Sequence, residues 1–163
     1  MGMLEKIEGE GGISLLPPRI ALGSSMIYHG TQKLTPKGLE HAGNMFEQLG
    51  LKPAKPLAMA TGLTELIAGA LSILGIGTRL AALGVLVTQA VAVSKVHLPK
   101  GFSMAKSGFE FNSALMAIAA GLLLSGPGDV SLKGVLHGKH LSGKHLRKHL
   151  RPTMGHRLLA VFQ

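Results

Sequence analysis

Six polar or ionisable residues within or beside the apolar stretches of this chain are candidates for a ligand pocket. They are His29, Lys33, Glu65, His97, Glu110 and Asn112. Ionisable groups in hydrocarbon are costly, so each needs a partner, a water-filled cavity or a function. Imidazole and carboxylate groups can exchange protons with a reducible ring, so these residue types indicate a small-ligand pocket with a quinone as the candidate ligand.

The same residues also permit a purely structural interpretation. Glu65 can pair with Lys33 or with a nearby hydroxyl, while His29 and Asn112 can join helices through hydrogen bonds. Haem held between His29 and His97 is a further alternative. The sequence supports haem less, since two of eight histidines form a weak pattern. The chain has no Cys, which excludes disulfides, thiolate metal sites and iron–sulfur clusters, and no metal site is predicted.

The elements that carry these residues follow from the composition. The chain has 163 residues, of which 46% are hydrophobic and 15% charged, against about 25% charged in an average soluble domain. Four apolar stretches are close to the length that a bilayer requires. The sequence therefore predicts an all-α fold, a transmembrane four-helix bundle. Its predicted spans are residues 15–33, 56–76, 79–98 and 108–126.

Shorter segments complete the predicted layout. Residues 37–50 have apolar residues at helical spacing and predict an amphipathic helix at the membrane interface. We expect an N-terminal tail over 1–12, the membrane domain over 13–128 and a basic C-terminal tail over 129–163. In an antiparallel bundle the ends of spans one and three meet the starts of spans two and four. The six polar residues should therefore converge near one membrane surface, with Glu65 deeper in the bundle.

The formal net charge of +9 predicts the orientation. Four spans place both termini on one side, which carries ten basic residues against seven on the other, so we expect cytoplasmic termini. The tail residues predicted to contact anionic lipid headgroups are Lys144, Arg147, Lys148 and Arg151. His145 and His149 in the same tail offer metal-ligand spacing, but basic neighbours oppose a cation. No recognisable module predicts a nucleic-acid partner.

Ordered motifs along the chain resemble those of DoxX-family membrane proteins. They include Pro18-Arg19-Ile20-Ala21-Leu22-Gly23, His29-Gly30-Thr31-Gln32-Lys33-Leu34, Glu65-Leu66-Ile67-Ala68-Gly69, Leu74-Gly75-Ile76-Gly77-Thr78-Arg79-Leu80 and Phe109-Glu110-Phe111-Asn112. The resemblance covers about residues 16–136 and implies a multi-pass protein of the inner membrane with four helices. The family is named after a resemblance to a subunit of a thiosulfate:quinone oxidoreductase, and other members are linked to redox-stress complexes.

Three functions remain open at this point. The first is a membrane subunit of a quinone-linked redox complex, an oxidoreductase subunit not active alone, with a protein partner supplying flavin or metal. The second is a non-catalytic interaction or assembly protein whose polar residues are structural. The third is a pathway for small solutes or protons, which four short helices would form only as an oligomer. The expected partners are the lipid bilayer and either another protein or further copies of this chain.

Overall fold

Residues 15–132 are described by the computed structural model of the protein, and within this range the fold consists of helices joined by short links. The helices are α1 (Leu16–Leu34), α2 (Pro36–Gln48), α3 (Ala54–Leu74), α4 (Thr78–Ala92) and α5 (Glu110–Ser125). The π-helical turn Val93–His97 and the 3-10 turn Leu98–Lys100 continue α4, and a 3-10 turn at Met104–Lys106 precedes α5. The all-α prediction is confirmed. The tail residues Lys144, Arg147, Lys148 and Arg151 lie outside the described range.

Local sequence explains how the helices start and turn. Pro17 and Pro18 occupy the first turn of α1, where a missing N–H has no helical partner to lose. Gly75 ends α3 and Gly77 precedes α4, both in the left-handed conformation with φ values of 71° and 57°. Glycine adopts this conformation without steric penalty. Two such residues in a three-residue link reverse the chain, so α3 and α4 form an antiparallel hairpin.

The packing order around the bundle is α1, α3, α4 and α5. α1 lies along α3, and α5 packs mainly on α4. The core contains Leu22, Met26, Ala68, Ala81, Ala82, Val85, Leu115, Ala119 and Leu122. The shorter α2 packs on the start of α3, where Ala42 and Phe46 contact Ala58. Its apolar side therefore faces the bundle, as expected of an amphipathic helix.

The outside of the bundle is apolar. On α4, four exposed residues at helical spacing form one stripe: Leu80, Leu83, Val87 and Val91. Similar residues cover the exposed side of α3, among them Met59, Leu63 and Ile67. Such continuous apolar surface is rare on soluble monomers and suits contact with lipid. Among the described residues, Ala54–Leu74 and Thr78–Lys100 are long and apolar enough to cross a membrane, and Glu110–Ser125 is a shorter apolar helix.

Glycines bring the backbones of α1 and α3 into direct contact at two levels. A Cβ atom at Gly69 would lie 2.7 Å from the Gly23 carbonyl oxygen. One at Gly30 would lie 2.6 Å from the Leu66 nitrogen and 2.7 Å from the Gly62 carbonyl oxygen. Each helix thus presents two glycines seven residues apart. Close backbone approach through small residues is a common way for membrane helices to associate.

Replacing Gly30 by alanine should lower the free energy of unfolding by about 1–3 kcal/mol, because the added methyl group meets rigid backbone of α3. Gly121→Ala is the matched control, since a Cβ there has no neighbour within 4 Å and alanine favours a helix. Unfolding in mixed detergent micelles, followed by circular dichroism, measures both variants. Equal effects of the two substitutions would contradict the close contact between α1 and α3.

Candidate functional site

A cavity of about 640 Å³ lies at the end of the bundle where α1 and α4 end and α3 and α5 begin. This volume is within the usual range for sites that bind small molecules, about 300–1,000 Å³. All five helices contribute to it. Its walls are largely apolar and include Phe46, Leu57, Val91, Phe111 and Leu115. A smaller number of polar side chains also border it, as is usual for sites that orient a ligand.

Five of the six residues selected from the sequence border this cavity: His29, Lys33, Glu65, His97 and Asn112. The antiparallel topology brings them together. Each residue lies near the end of its helix that borders the cavity, or one to three turns from that end. Glu65 and Asn112 are buried, whereas the two histidines are half-buried.

Glu110 does not border the cavity, which corrects its place in the predicted cluster. Its side chain is exposed, and its Oε2 atom accepts a hydrogen bond of 2.9 Å from the backbone N–H of Met104. Glu110 is the first residue of α5, so its carboxylate can turn back to the loop that precedes the helix. There it satisfies a backbone donor.

The deepest charged group in the cavity is paired. Lys33 Nζ donates to Glu65 Oε2 over 2.6 Å, and the side chains are 24% and 4% exposed. A Cβ at Gly62 would lie 3.2 Å from the Cβ of Lys33, so this glycine leaves room for the lysine stem to cross α3. Pairing neutralises the charge of a carboxylate that is otherwise shielded from water. The pair also connects α1 to α3.

His29 connects α1 to α5. The centre of its ring lies 6.1 Å from that of Phe111 and 5.6 Å from that of Tyr28. It precedes Lys33 by four residues on α1, so the two side chains share one face of the helix. An aromatic ring and a proton-exchanging group therefore lie on the same side of the cavity as the ion pair.

A buried pair of amides connects α4 to α5, and the sequence analysis did not predict it. Asn112 Nδ2 donates to Gln89 Oε1 over 2.7 Å, while Gln89 Nε2 lies 3.8 Å from the sulfur of Met26. Both amides border the cavity. The available sequence signal was the spacing of Gln89 and His97, which places them on one stripe of the helix. Only the structure shows that the amide of Gln89 contacts the amide of Asn112.

His97 borders the cavity from a segment in which the helix changes its geometry. Lys95, Val96 and His97 all border the cavity, although consecutive α-helical residues point about 100° apart. These residues belong to the π-helical turn Val93–His97, and such turns are frequent at functional sites. His97 Nδ1 lies 2.8 Å from the Ser107 carbonyl oxygen and donates to it. In the neutral ring this leaves Nε2 as an acceptor.

Arg19 is a buried charged residue that was not among the predicted site residues, and it lies away from the cavity at the opposite end of the bundle. It is 2% exposed. Its guanidinium donates to the carbonyls of Ser72 (2.8 Å) and Ile73 (2.6 Å) at the end of α3, and to those of Pro127 and Val130 beyond α5. Its position after two prolines gave no sign of these distant backbone partners.

Within residues 15–132, no three His, Cys, Asp or Glu side chains are grouped so that they could hold a metal ion. A family model described as DoxX matches residues 14–98, more than half of the chain. The matched segment contains α1 to α4 and four of the five cavity residues named above. Comparison with curated proteins found no match, and comparison with solved structures found none either.

Proposed function

The chain belongs to the DoxX family of integral membrane proteins, and from this premise we propose that it is the quinone-binding membrane subunit of a redox complex. One observation carries the proposal: a largely apolar cavity of ligand size contains an ion pair, two histidines and two amides. Apolar walls suit the body of a quinone ring, and convergent polar groups suit its oxygen atoms.

The residues in the cavity match the needs of quinone chemistry. Reduction of a quinone to a quinol consumes two electrons and two protons, so the site needs hydrogen-bond partners and a route for protons. Glu65 and His29 are the proton-exchanging groups, and Lys33 holds the Glu65 carboxylate in place. His97 Nε2 accepts a hydrogen bond from a quinol hydroxyl. The electrons would come from a flavin or metal centre of a partner protein, and the absence of Cys means that this chain has no thiolate-held cluster of its own.

The proposed topology has four membrane spans in the inner membrane, formed by α1, α3, the continuous helix Thr78–Lys100, and α5. Both termini are cytoplasmic, so the cavity opens toward the outer leaflet. The membrane domain covers residues 13–128, between the tails 1–12 and 129–163. We propose a contact with anionic headgroups for Lys144, Arg147, Lys148 and Arg151, which lie outside the residues that the structure describes.

A second candidate function is a non-catalytic assembly protein, and a specific observation favours it. The polar groups around the cavity have partners within the chain: Lys33 with Glu65, Asn112 with Gln89, and His97 with the Ser107 carbonyl. Groups arranged in this way stabilise a bundle without any ligand. The two candidates differ in whether the cavity binds a quinone.

Replacing His97 by asparagine is expected to weaken binding of a benzoquinol analogue about tenfold, the effect of losing the hydrogen bond that Nε2 accepts from a quinol hydroxyl. The asparagine amide nitrogen takes the position of Nδ1 and keeps the bond to Ser107, while the Nε2 atom is lost. Isothermal titration of the purified protein measures the affinity, and the melting temperature should stay unchanged.

His41→Asn is the control, because His41 is exposed on α2 and does not border the cavity. It should bind the analogue like the unaltered protein. Absence of binding to the unaltered protein would reject the quinone function and favour the assembly protein. Equal affinities of the His97 and His41 variants would remove His97 from the site.

A further inference from the structure

The sides of the cavity differ in whether a polar or aromatic side-chain contact joins the two helices that form them. Lys33 and Glu65 join α1 to α3, Gln89 and Asn112 join α4 to α5, and the rings of His29 and Phe111 connect α1 to α5. No comparable contact closes the side between α3 and α4. Beyond Gly84, no side-chain hydrogen bond or ion pair joins these two helices in the described part of the chain.

The hydroxyl groups available on that side bond within their own helices. Thr61 Oγ1 donates to the Leu57 carbonyl over 2.9 Å, and Thr88 Oγ1 donates to the Val85 carbonyl over 3.0 Å. Neither hydroxyl is therefore used to join α3 to α4. This side of the cavity presents aliphatic groups and satisfied polar atoms, a surface compatible with hydrocarbon.

α3 and α4 contact each other at mid-bundle, where a Cβ at Gly84 would lie 3.2 Å from the Thr64 side chain. Beyond that level, Leu57 of α3 and Val87 and Val91 of α4 border the cavity and are also 37%, 57% and 41% exposed. Residues that belong both to the cavity wall and to the outer surface mark an opening. This opening lies on the apolar surface of the bundle. Met104 and Phe111 also border the cavity and are 60% and 39% exposed, so a second opening lies beside the start of α5.

We propose that the cleft between α3 and α4 is an entrance from the bilayer, and that the ligand is an amphiphile whose ring occupies the cavity while its apolar tail extends through the cleft into lipid. This inference rests on the proposed function, because it assumes a ligand in the cavity. It adds the substrate class: a long-tailed quinone dissolved in the membrane, as opposed to a small water-soluble ring.

Two observations favour such a tail as the occupant of the cleft. The polar groups lie inside the cavity on α1, α3, α4 and α5, whereas the cleft is bordered by Leu57, Val87 and Val91. A ligand placed in this way must be polar at one end and apolar at the other. The apolar surface is also continuous from the cleft to the stripe on α4, so a tail leaving the cavity stays in contact with hydrocarbon.

The absence of native Cys allows the cleft to be closed chemically. Val87→Cys and Val91→Cys are each labelled with a bulky aromatic methanethiosulfonate reagent in proteoliposomes. The probes are two photoreactive azido-benzoquinones, one without a tail and one with a decyl tail. Labelling should slow cross-linking by the decyl probe about tenfold, equivalent to about 1.4 kcal/mol on the barrier, and dithiothreitol should reverse the effect.

Leu83→Cys is the matched control, since Leu83 is exposed on the same stripe of α4 but does not border the cavity. Its labelling should slow neither probe. Cross-linking by the tail-less probe tests the proposed function, and its absence in the unaltered protein would overturn both proposals. A second outcome separates the two proposals. If the tail-less probe cross-links, but labels at both Val87 and Val91 leave the cross-linking rates of the two probes equal, the lipid entrance is wrong. The quinone site then stands.

Discussion

Replacement of Arg19 by leucine is expected to lower the free energy of unfolding by at least about 3 kcal/mol, because carbonyl groups at two places in the chain lose a charged donor together. Arg19 is buried and bonds to Ser72 and Ile73 of α3 and to Pro127 and Val130 beyond α5. Its positive charge also stabilises the negative end of the α3 dipole. Unfolding in mixed micelles, followed by circular dichroism, measures the change.

Arg19→Lys separates the effect of charge from that of geometry. Lysine keeps the charge, but its single ammonium group cannot direct donors toward α3 and the segment after α5 at once, so we expect only partial recovery. Arg79→Leu is the control at the same end of the bundle, since Arg79 is exposed and donates to the Leu124 carbonyl over 3.3 Å. If Arg19→Leu lowers the free energy of unfolding no more than Arg79→Leu does, the carbonyl contacts of Arg19 contribute little to stability.

Removing one member of the ion pair should be strongly destabilising, and the two single substitutions should differ. Lys33→Met leaves a Glu65 carboxylate that is 4% exposed without its partner, and we expect a loss of about 3–5 kcal/mol. Glu65→Met should cost less, because Lys33 is 24% exposed and its flexible stem can carry the ammonium group toward water. The same unfolding measurement gives both values.

The double variant Lys33→Met with Glu65→Met tests the role of the pair. Replacing a buried ion pair by apolar side chains is often neutral or stabilising, so this variant should fold about as well as the unaltered protein. If the pair serves the ligand, the folded double variant should have lost quinone binding. Full binding by the double variant would leave the pair with a structural role only. Additive losses from the single variants would show that the two side chains do not interact.

Much of the fold could be predicted from the distribution of apolar residues. Stretches near the length of a membrane span, separated by Pro and Gly, indicated an all-helical chain, and the described residues form helices joined by short links. The short link after α3 required a hairpin, and the hairpin required polar residues of different helices to meet at one end. Chain direction and helix length are sufficient for these predictions, and the sequence contains both.

The specific contacts could not be predicted in the same way. Arg19 acts through backbone carbonyls of residues more than fifty positions away, and every residue type has such a carbonyl. Glu110 has the same charge as Glu65 but begins its helix, so its carboxylate meets a nearby loop N–H. The partner of Gln89 depends on the rotation of α5 about its axis. Each case depends on a tertiary arrangement that composition and spacing do not encode.

Because Val93–His97 is a π-helical turn, the number of residues in this segment matters as well as their types. A π-helical turn accommodates one more residue than an α-helical turn, so the Val93–His97 segment contains an effective single-residue insertion. A chain lacking one residue there would continue as an ordinary α-helix and rotate the residues that follow by about 100°. When DoxX chains are aligned, a gap at this point therefore signals a different side chain at the cavity wall, even where the flanking residues are identical.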